Sequence, residues 1–360
     1  MKPPAGPPAG QVEARLPSER LRKRVFSLPT LIATAVAGVL LALVLWRAFD
    51  INWSEFWDNA RDISPASYLV ALLAYYVSFW FRGLRWRLIA LTAFRARVPD
   101  GQQPQEPPPH VPGVTTLGGI ILMGWFANSV AFLRVGDAYR GWALSRESGA
   151  GFGQSLGTVL AERVQDIFAV LVLILAAAAW VTAEGETEAP AWVIIGAFVL
   201  AGVLVALLLA MRLFGLRLAS RLPPRVAKAY AGFQHGTLGS FSARELPLQL
   251  ALGMTGWLLE IARFYFVAKG LGLEISFGVV MLAALANALL STIPTPGGFG
   301  FVESGLTGML ILVGLDDTTA FSLTVVDRTI SWVSVVVFGG LLFAYWHLVR
   351  DRRFKARRQP

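Results

Sequence analysis

The sequence of 360 residues contains no cysteine and only three histidines. The absence of cysteine excludes disulfide bonds, thiolate metal sites and a cysteine nucleophile. His110, His235 and His347 are isolated and lack the spacing of metal ligands. A phosphate-binding loop of the Walker type is also missing, so ATP hydrolysis by this chain is not expected. We therefore expect neither a metal nor a cofactor.

Charged residues are scarce as well, at 15% of the chain, whereas 55% of the residues are hydrophobic and the mean hydropathy is +0.57. An average soluble domain carries roughly 25% charged residues. A soluble core could not bury this much apolar surface, so lipid must be the solvent for much of the chain. The composition predicts an all-α, polytopic membrane helix bundle.

The net charge of +9 is compatible with a nucleic-acid-binding protein as well as with a membrane protein. The location of the charges distinguishes the two. The basic residues cluster in short segments that flank apolar runs. Membrane proteins fix their orientation in this way. The charge pattern therefore indicates a membrane protein, and we predict that it does not bind nucleic acid.

Apolar runs of about the length that a helix needs to cross a bilayer follow one another along the chain. The first, 28–46, is predicted to be a retained helix, because no small-residue cleavage site follows it. Three units are predicted: a disordered basic tail at 1–27, one transmembrane domain at 28–347 and a basic tail at 348–360. Further runs, which bring the total to about seven to nine, lie at about 67–91, 113–133, 155–182, 191–211, 248–268, 276–293, 298–314 and 322–347.

Basic and acidic connections predict which side of the membrane each loop occupies. The basic segments, predicted to be cytoplasmic, are both tails, 82–97, 134–146 and 212–244; the acidic segments, predicted to lie outside, are 50–62, 184–188 and 316–317. Two basic connections then flank the single run 113–133. This parity predicts a re-entrant hairpin, with Gly118, Gly119 and Gly124 as bend points.

A second interruption lies at residues 294–300, where two prolines and three glycines cannot continue a helix. The flanking pieces of about 18 residues would each be roughly 27 Å long. They can form two short crossings or a second hairpin. A hairpin here would enter from the face opposite to the first, which is the pattern of an inverted repeat with a binding site near the membrane midplane.

Eight ionisable residues lie within or at the ends of the apolar runs, where each costs at least about 2.5–3.5 kcal/mol at a helix centre. Glu162 and Asp166 share one helix face, and Glu260 and Arg263 are spaced for an intrahelical pair. Three interpretations stay open: structural ion pairs, a polar cavity that takes a lipid headgroup while the tails remain in the bilayer, and a proton relay. The eight are Glu162, Arg163, Asp166, Glu260, Arg263, Glu303, Asp327 and Arg328.

Two further groups of basic residues are predicted to act at the membrane surface. Arg82, Arg85 and Arg87 around Trp86 are placed where the second helix should leave the membrane, and we interpret them as interfacial anchors. Residues 212–228 are predicted to be a basic amphipathic stretch on the anionic inner leaflet.

Three motifs carry a resemblance to a known family. Residues 294–303 have the form of a proline–glycine motif with a trailing glutamate, and 162–166 that of a Glu-Arg-x-x-Asp signature. Asn128, Arg134, Gly136 and Arg140 fit a third motif, while Arg85-Trp86 and Arg328 fit two weaker positions. With these motifs the chain resembles, over about residues 28–347, the lysylphosphatidylglycerol synthase transmembrane family, the flippase-like module of multiple peptide resistance factors.

The sequence departs from that family in two places. Phe132 stands where the family usually has proline, and Asp137 stands where glutamate is usual. The resemblance implies a lipid-translocating fold with two re-entrant elements that meet in a central cavity. In fused relatives a cytosolic domain attaches the amino acid to the lipid; none follows residue 350 here, so we expect no aminoacyl transferase activity and no enzyme.

These observations lead to one hypothesis and three alternatives. The hypothesis is a flippase or scramblase-like transporter in the cell membrane, with both termini cytoplasmic, whose partners are membrane lipids with a phospholipid or polyprenyl-linked headgroup. The alternatives are a membrane-embedded glycosyl or aminoacyl transferase component, an ion-coupled solute transporter, and a scaffold for a partner membrane enzyme. The expected path residues are Asn128, Arg134, Gly136, Asp137, Arg140, Glu162, Arg163, Asp166, Glu260, Arg263, Pro294, Pro296, Gly297, Gly298, Gly300, Glu303, Asp327 and Arg328.

Overall fold

The computed structural model describes residues 50–96, 109–185, 191–219, 221 and 223–350. The predicted first helix at 28–46, the tail at 1–27 and the tail beyond residue 350 lie outside these ranges. The regular elements in the described ranges are helices, in the order α1 Trp53–Arg61, α2 Pro65–Arg95, α3 Val114–Val130, α4 Val135–Ser148, α5 Phe152–Glu184, α6 Ala191–Ala219, α7 Pro224–Leu238, α8 Leu246–Gly270, α9 Phe277–Leu290, α10 Phe301–Leu312 and α11 Asp317–Arg328.

Beyond α11 the helix continues through a π-helical stretch, Thr329–Gly339, then Gly340–Tyr345, and ends in a second π-helical stretch, Trp346–Arg350. Within the described ranges, α5, α8, the segment Ile194–Gly215 of α6 and the helix Asp317–Leu348 are long and apolar enough to cross a membrane. Helices α1 and α2, bent by 79° where they join, make a fifth candidate. The prediction of an all-α polytopic bundle is confirmed.

Helices α3 and α4 form a hairpin, called hairpin 1, whose turn spans residues 131–134. The backbone N–H of His110 donates to the carbonyl of Ser148 at 3.0 Å, so the chain enters and leaves hairpin 1 at the same end of the bundle. At 17 and 14 residues the arms are roughly 26 and 21 Å long, shorter than the hydrocarbon layer of about 30 Å. The predicted hairpin is therefore found, but the run 113–133 forms only its first arm. The prediction of 134–146 as a cytoplasmic connection is wrong, because this segment forms the second arm α4 and Arg140 is fully buried.

The predicted bend points of hairpin 1 are wrong. Gly118, Gly119 and Gly124 lie inside the continuous helix α3, and the chain turns later, at residues 131–134. Two of these glycines serve close packing instead, since a Cβ on Gly124 would lie 2.6 Å from Cγ of Arg140, and one on Gly118 would lie 3.0 Å from a backbone oxygen of α2. Glycine here admits a neighbouring helix, which requires no bend.

Helices α9 and α10, with the turn at 291–300, form hairpin 2. A Cβ on Gly305 of α10 would lie 2.7 Å from the side chain of Leu290, so the two arms are in contact. Gly297, Gly298 and Gly300 have φ values of 60°, 73° and 91°, a region that L-residues seldom adopt. The arms of 14 and 12 residues are again too short to span the hydrocarbon separately.

The two hairpins enter the bundle from opposite ends. Helix α5 begins directly after hairpin 1, and its far end reaches hairpin 2, where a Cβ on Gly278 would lie 2.6 Å from the Val181 side chain. The turns then meet inside the bundle: Nη1 of Arg134 donates to the carbonyl of Ser291 at 2.9 Å. The architecture has the form of the inverted repeat that the sequence predicts.

The helices α2 and α8, which precede the two hairpins, pack antiparallel. At one end Ser64 N–H donates to the carbonyl of Gly270 at 2.8 Å, and at the other the Gln249 amide donates to the Thr92 hydroxyl at 3.3 Å. Each half of the fold is thus a long helix, a hairpin and a second long helix. The halves run in opposite directions.

The interpretation of residues 212–228 as one amphipathic surface segment is wrong. Helix α6 extends to Ala219, and a separate helix, α7, begins at Pro224. Helix α7 packs closely on the start of α5. At Gly153, Gly157 and Gly236 the backbones of the two helices are so near each other that a Cβ would overlap a carbonyl oxygen of the other helix.

Candidate functional site

A cavity of about 190 Å³ lies where the turns of the two hairpins meet. Its wall is built from both halves of the fold, with contributions from α2, α3, α5, α8, α9 and α11 and from both turns. The polar and aromatic side chains that line it include Tyr75, Arg82, Trp125, Asn128, Arg134, Arg163, Asp166, Trp257, Glu260, Arg263, Asn287, Arg328, Ser331 and Trp332.

Six charged side chains of the first half form a closed ring in which arginines and acids alternate. Each neighbouring pair is separated by 2.5 to 4.0 Å. A ring of this kind lets each buried charge face two opposite charges, which offsets its loss of hydration. In order, the ring consists of Arg85, Glu162, Arg140, Asp137, Arg163 and Asp166.

The second half contains a shorter chain of ion pairs. Glu260 accepts from Arg82 of α2 at 3.2 Å and from Arg263, three residues further along α8, also at 3.2 Å. Arg263 continues the chain to Asp327 of α11, whose side chain is fully buried. The predicted intrahelical pair of Glu260 and Arg263 is confirmed.

The same ion pair joins each hairpin to the long helix that follows it. In the first half Asp137 accepts from Arg163 at 2.8 Å, and in the second half Glu303 accepts from Arg328 at 2.7 Å. Each acid is the third residue of its hairpin's second arm, and each arginine is the twelfth residue of the following helix. The two halves therefore share this side-chain ion pair as well as their backbone arrangement.

A second pair is repeated as well. Arg85 of α2 contacts Glu162 of α5 at 3.5 Å, and Arg263 of α8 contacts Asp327 of α11. Glu162 and Asp327 are each the eleventh residue of their helix, directly before the arginine of the first repeated pair. In both halves an arginine of the helix before the hairpin therefore meets an acid of the helix after it. Each hairpin is thereby enclosed between two helices that are joined by charge.

Arginines also hold the turns of the two hairpins. Arg134 caps α4 from a left-handed conformation, with φ 49° and ψ 43°, and its neighbour Leu133 has φ 63°. Two successive non-glycine residues with positive φ are uncommon and strained. In hairpin 2, Nη2 of Arg328 donates to the carbonyl of Gly297 at 3.0 Å. Both turns are fixed by guanidinium groups that also line the cavity.

The interpretation of Arg82, Arg85 and Trp86 as interfacial anchors is wrong. All three are buried, and Trp86 donates from Nε1 to the Thr158 hydroxyl at 3.0 Å while its ring lies 4.5 Å from the Arg140 guanidinium. Helix α2 runs on to Arg95, so Arg85 lies ten residues, or roughly 15 Å, inside its end. These arginines belong to the charged interior.

The expected path residues divide into three groups. Those that line the cavity are Asn128, Arg134, Arg163, Asp166, Glu260, Arg263, Gly297 and Arg328. Those that stand behind the wall and pair with or pack on it are Gly136, Asp137, Arg140, Glu162, Glu303 and Asp327. The turn of hairpin 2 contains Pro294, Pro296, Gly298 and Gly300, and Gly300 N–H donates to Glu303 at 2.7 Å.

Several lining residues were not among those expected from sequence: Arg82, Trp125, Trp257, Asn287 and Trp332. Three of them are tryptophans, which in a membrane helix are equally suited to an interfacial position. Asn287 could have been predicted from sequence, because it is the single amide side chain in the otherwise apolar helix α9. Its amide contacts Asp327 at 3.5 Å.

The chemistry available at the site is that of charge and hydrogen bonding. In the described part of the chain no three His, Asp or Glu side chains come together in a way that could hold a metal ion. The cavity instead presents guanidinium groups, indole N–H groups and amides in an environment of low dielectric. Such groups act strongly there on a charged or hydrogen-bonding ligand.

Comparison with known proteins agrees with this architecture. Residues 30–339 match the family described as lysylphosphatidylglycerol synthase TM region. A UPF0104 membrane protein of Methanocaldococcus jannaschii is 33% identical over 225 residues, which cover 61% of this chain and 93% of that protein. A UPF0104 membrane protein of Methanothermobacter thermautotrophicus is 25% identical over 333 residues, covering 84% and 89%.

A further relative is longer than this chain. Glycosyltransferase AglD of Haloferax volcanii is 25% identical over 352 residues, which cover 86% of this chain and 53% of that protein. Since the family match extends over most of the sequence, from the first predicted helix into the last, the chain belongs to the lysylphosphatidylglycerol synthase TM region family.

Proposed function

We propose that this protein moves a lipid headgroup across the bilayer through the cavity at the meeting point of the two hairpins, while the lipid tails stay in the hydrocarbon. The observation that carries the proposal is the charged cavity itself, placed where two re-entrant turns from opposite ends of the bundle meet. Membrane transporters with inverted repeats bind their substrates at this position, near the midplane.

The energetic role of the cavity follows from the cost of moving polar groups through lipid. A charged side chain at the bilayer centre costs at least about 2.5–3.5 kcal/mol, and a lipid headgroup meets the same barrier. A wall that carries arginines, acids and indole N–H groups replaces the lost hydration with fixed hydrogen bonds. The barrier to transfer is thereby lowered without covalent chemistry.

The placement of charge at the ends of the bundle supports a location in the cell membrane with the basic end in the cytoplasm. Arg95, Arg146 and Lys228 lie at the end where hairpin 1 enters, and Asp316 and Asp317 lie at the other. An excess of arginine and lysine marks the cytoplasmic side of membrane proteins.

A second candidate is the lipid-handling part of a glycosyl-transferring system. The similarity to a protein named glycosyltransferase AglD, over 86% of this chain, favours it. Because the shared region is only 53% of that protein, the activity in its name need not reside in the part that this chain shares. In this candidate the chain presents or returns a lipid carrier to a partner enzyme.

Reconstitution in liposomes tests the proposal. With fluorescent phospholipids in both leaflets, a membrane-impermeant reductant quenches only those in the outer leaflet, about half of the label. The purified chain should raise the quenched fraction above this half by bringing lipids from the inner leaflet to the outer one. Arg328→Gln should slow this transfer, because Arg328 lines the cavity and holds the turn of hairpin 2. Arg244→Gln, at an exposed position, serves as the matched control. Transfer equal to that of protein-free liposomes, for every headgroup tried, would refute the proposal.

A further inference from the structure

The wall of the cavity is more positive than the charged cluster as a whole. Among the described residues, five arginines line the cavity but only two acids, Asp166 and Glu260, do so. The acids that pair with the other arginines, Asp137, Glu303 and Asp327, stand behind the wall. A ligand in the cavity therefore meets guanidinium groups first and their counter-charges at a greater distance, which favours an anion.

Hydrogen-bonding groups without partners point to the same kind of ligand. Among the described residues that line the cavity, Nε of Arg82, Nε of Arg163 and Nε1 of Trp332 are hidden from solvent and donate to no protein group. Among the same residues, one acceptor is hidden from solvent without a hydrogen bond: Oδ2 of Asp166, which already lies 3.5 Å from Nη1 of Arg163. Buried donors are normally satisfied, so the cavity is short of an acceptor.

One of these donors, the indole N–H of Trp332, lies at the contact between the two turns. Arg328 lies 5.8 Å from the ring of Trp332, and a Cβ on Gly297 would lie 2.5 Å from that ring. Arg134, on the other side of the contact, has a side chain that is 31% exposed and a loose ion pair of 3.6 Å with Asp137. Helices α4 and α10 both begin here, so their N-terminal ends add partial positive charge.

We propose that the headgroup bound at this contact is the phosphate monoester of a lipid, held by Arg134, Arg328 and the indole N–H of Trp332. A terminal phosphate offers several acceptor oxygens and up to two negative charges, and guanidinium forks match its geometry. A cavity of about 190 Å³ is close to the roughly 150 Å³ that encloses one benzene-sized ligand. The positive charge of an amine in the headgroup would be repelled by the five guanidinium groups of the wall. This inference rests on the proposed function and specifies its substrate class.

Competition binding tests the inference separately from transport. The full chain in phosphatidylcholine nanodiscs binds a fluorescent short-chain phosphatidic acid, which is displaced by dihexanoyl phosphatidic acid, dihexanoyl phosphatidylcholine, lysyl-phosphatidylglycerol or inorganic phosphate. Phosphatidic acid should displace the probe at a concentration at least tenfold lower than phosphatidylcholine or the lysyl lipid. Equal displacement by phosphatidylcholine overturns the inference. Inorganic phosphate as effective as phosphatidic acid also overturns it, because the site then recognises a free anion.

Variants assign the binding to the named groups. Arg134→Gln should weaken binding of the phosphatidic acid probe about tenfold, as expected for a lost charge-assisted hydrogen bond. Trp332→Phe replaces the indole with a smaller aromatic ring that has no N–H, and it should weaken binding severalfold without a change of charge. Arg244→Gln, exposed and away from the cavity, should bind as the wild type does. Wild-type affinity in both Arg134→Gln and Trp332→Phe overturns the assignment.

The two proposals fail in different ways. Rapid transfer of all headgroups in liposomes, with no preference for phosphatidic acid in binding, removes the inference and leaves the proposed function. Selective binding of phosphatidic acid without transfer of any lipid keeps the binding site and removes the transport proposal.

Discussion

Arg134 donates a hydrogen bond from Nη1 to the carbonyl oxygen of Ser291 at 2.9 Å, and this bond joins the turn of hairpin 1 to the turn of hairpin 2. The two residues are 157 positions apart in the sequence. Their contact shows that both re-entrant elements end at the same depth of the bundle. A single polar region, built from both halves, results from it.

The opposite entry of the hairpins predicts opposite labelling of their ends. The chain has no cysteine, so single cysteines can be placed without background. Arg146→Cys, at the open end of hairpin 1, and Glu274→Cys, before hairpin 2, are both at exposed positions. A membrane-impermeant maleimide should reach them from different sides of sealed vesicles, with Arg146→Cys labelled from the cytoplasmic side. Labelling of both from one side would contradict the topology.

Removal of one partner of a buried ion pair should destabilise the fold strongly. Arg263→Met leaves the fully buried Asp327 without its arginine, and a loss of about 3–5 kcal/mol is expected. The double variant with Asp327→Leu should recover most of that loss, because no unpaired charge remains. Arg61→Met, at an exposed position, is the control and should change the stability by less than about 0.5 kcal/mol. Unfolding in detergent, followed by intrinsic tryptophan fluorescence, measures the differences.

The close contact of α3 and α4 predicts that Gly136 cannot carry a side chain. A Cβ at this position would overlap the carbonyl oxygen of Gly124 and lie 2.7 Å from Oδ1 of Asn128. Gly136→Ala should therefore separate the arms of hairpin 1 and lower the unfolding midpoint, at a cost of about 1–3 kcal/mol. Gly113→Ala, where a Cβ meets nothing within 4 Å, is the matched control. Equal midpoints for the two variants would contradict the packing described for hairpin 1.

The start of α11 predicts a pH-dependent contribution to stability. Burial alone would raise the pKa of Asp316, but hydrogen bonds from Thr319 outweigh it and hold this pKa below its ordinary value. A carboxyl with a lowered pKa in the folded state stabilises the fold above its ordinary pKa of about 3.9. That contribution is lost as the pH falls through the lowered pKa.

Asp316→Ala removes the N-cap and should cost about 1 kcal/mol at neutral pH. The difference between the variant and the wild type should shrink below pH 4, where the carboxyl of the wild type becomes protonated. Asp316→Asn keeps the cap and should lose this pH dependence. A difference between wild type and Asp316→Ala that is constant from neutral to acid pH would show that the carboxylate charge is not involved. Midpoints of thermal unfolding across this range provide the measurement.

The helices that cross the bundle could be predicted from sequence because lipid imposes a minimum length on each apolar run. The run at 155–182 appears as α5 at 152–184, and the run at 248–268 as α8 at 246–270. The shorter polar helices α1 and α4 have no such run, so hydropathy did not separate them from loops. Their helical form depends on tertiary contacts, such as those of Phe56 with Phe321.

The candidate site could be predicted only in part. Charges within apolar runs, such as Glu162 and Arg328, were identifiable because lipid excludes them. The positions of Arg82 and Arg85 were predicted wrongly because their depth depends on where α2 ends. The sequence pattern placed the end of this helix near these arginines, whereas α2 continues to Arg95. An arginine side chain is long enough to reach the membrane surface from a backbone position inside the hydrocarbon, so the sequence alone does not show how deep the residue lies.

The two hairpins differ in how many ion pairs join them to the helix that follows. Hairpin 1 is joined to α5 by two, Asp137 with Arg163 at 2.8 Å and Arg140 with Glu162 at 2.5 Å, whereas hairpin 2 is joined to α11 by the pair of Glu303 with Arg328 at 2.7 Å. Displacement of hairpin 1 would therefore separate more opposite charges than displacement of hairpin 2. We expect the second hairpin to be the easier of the two to move, which would give a protein with two similar halves an unequal exchange with the two leaflets.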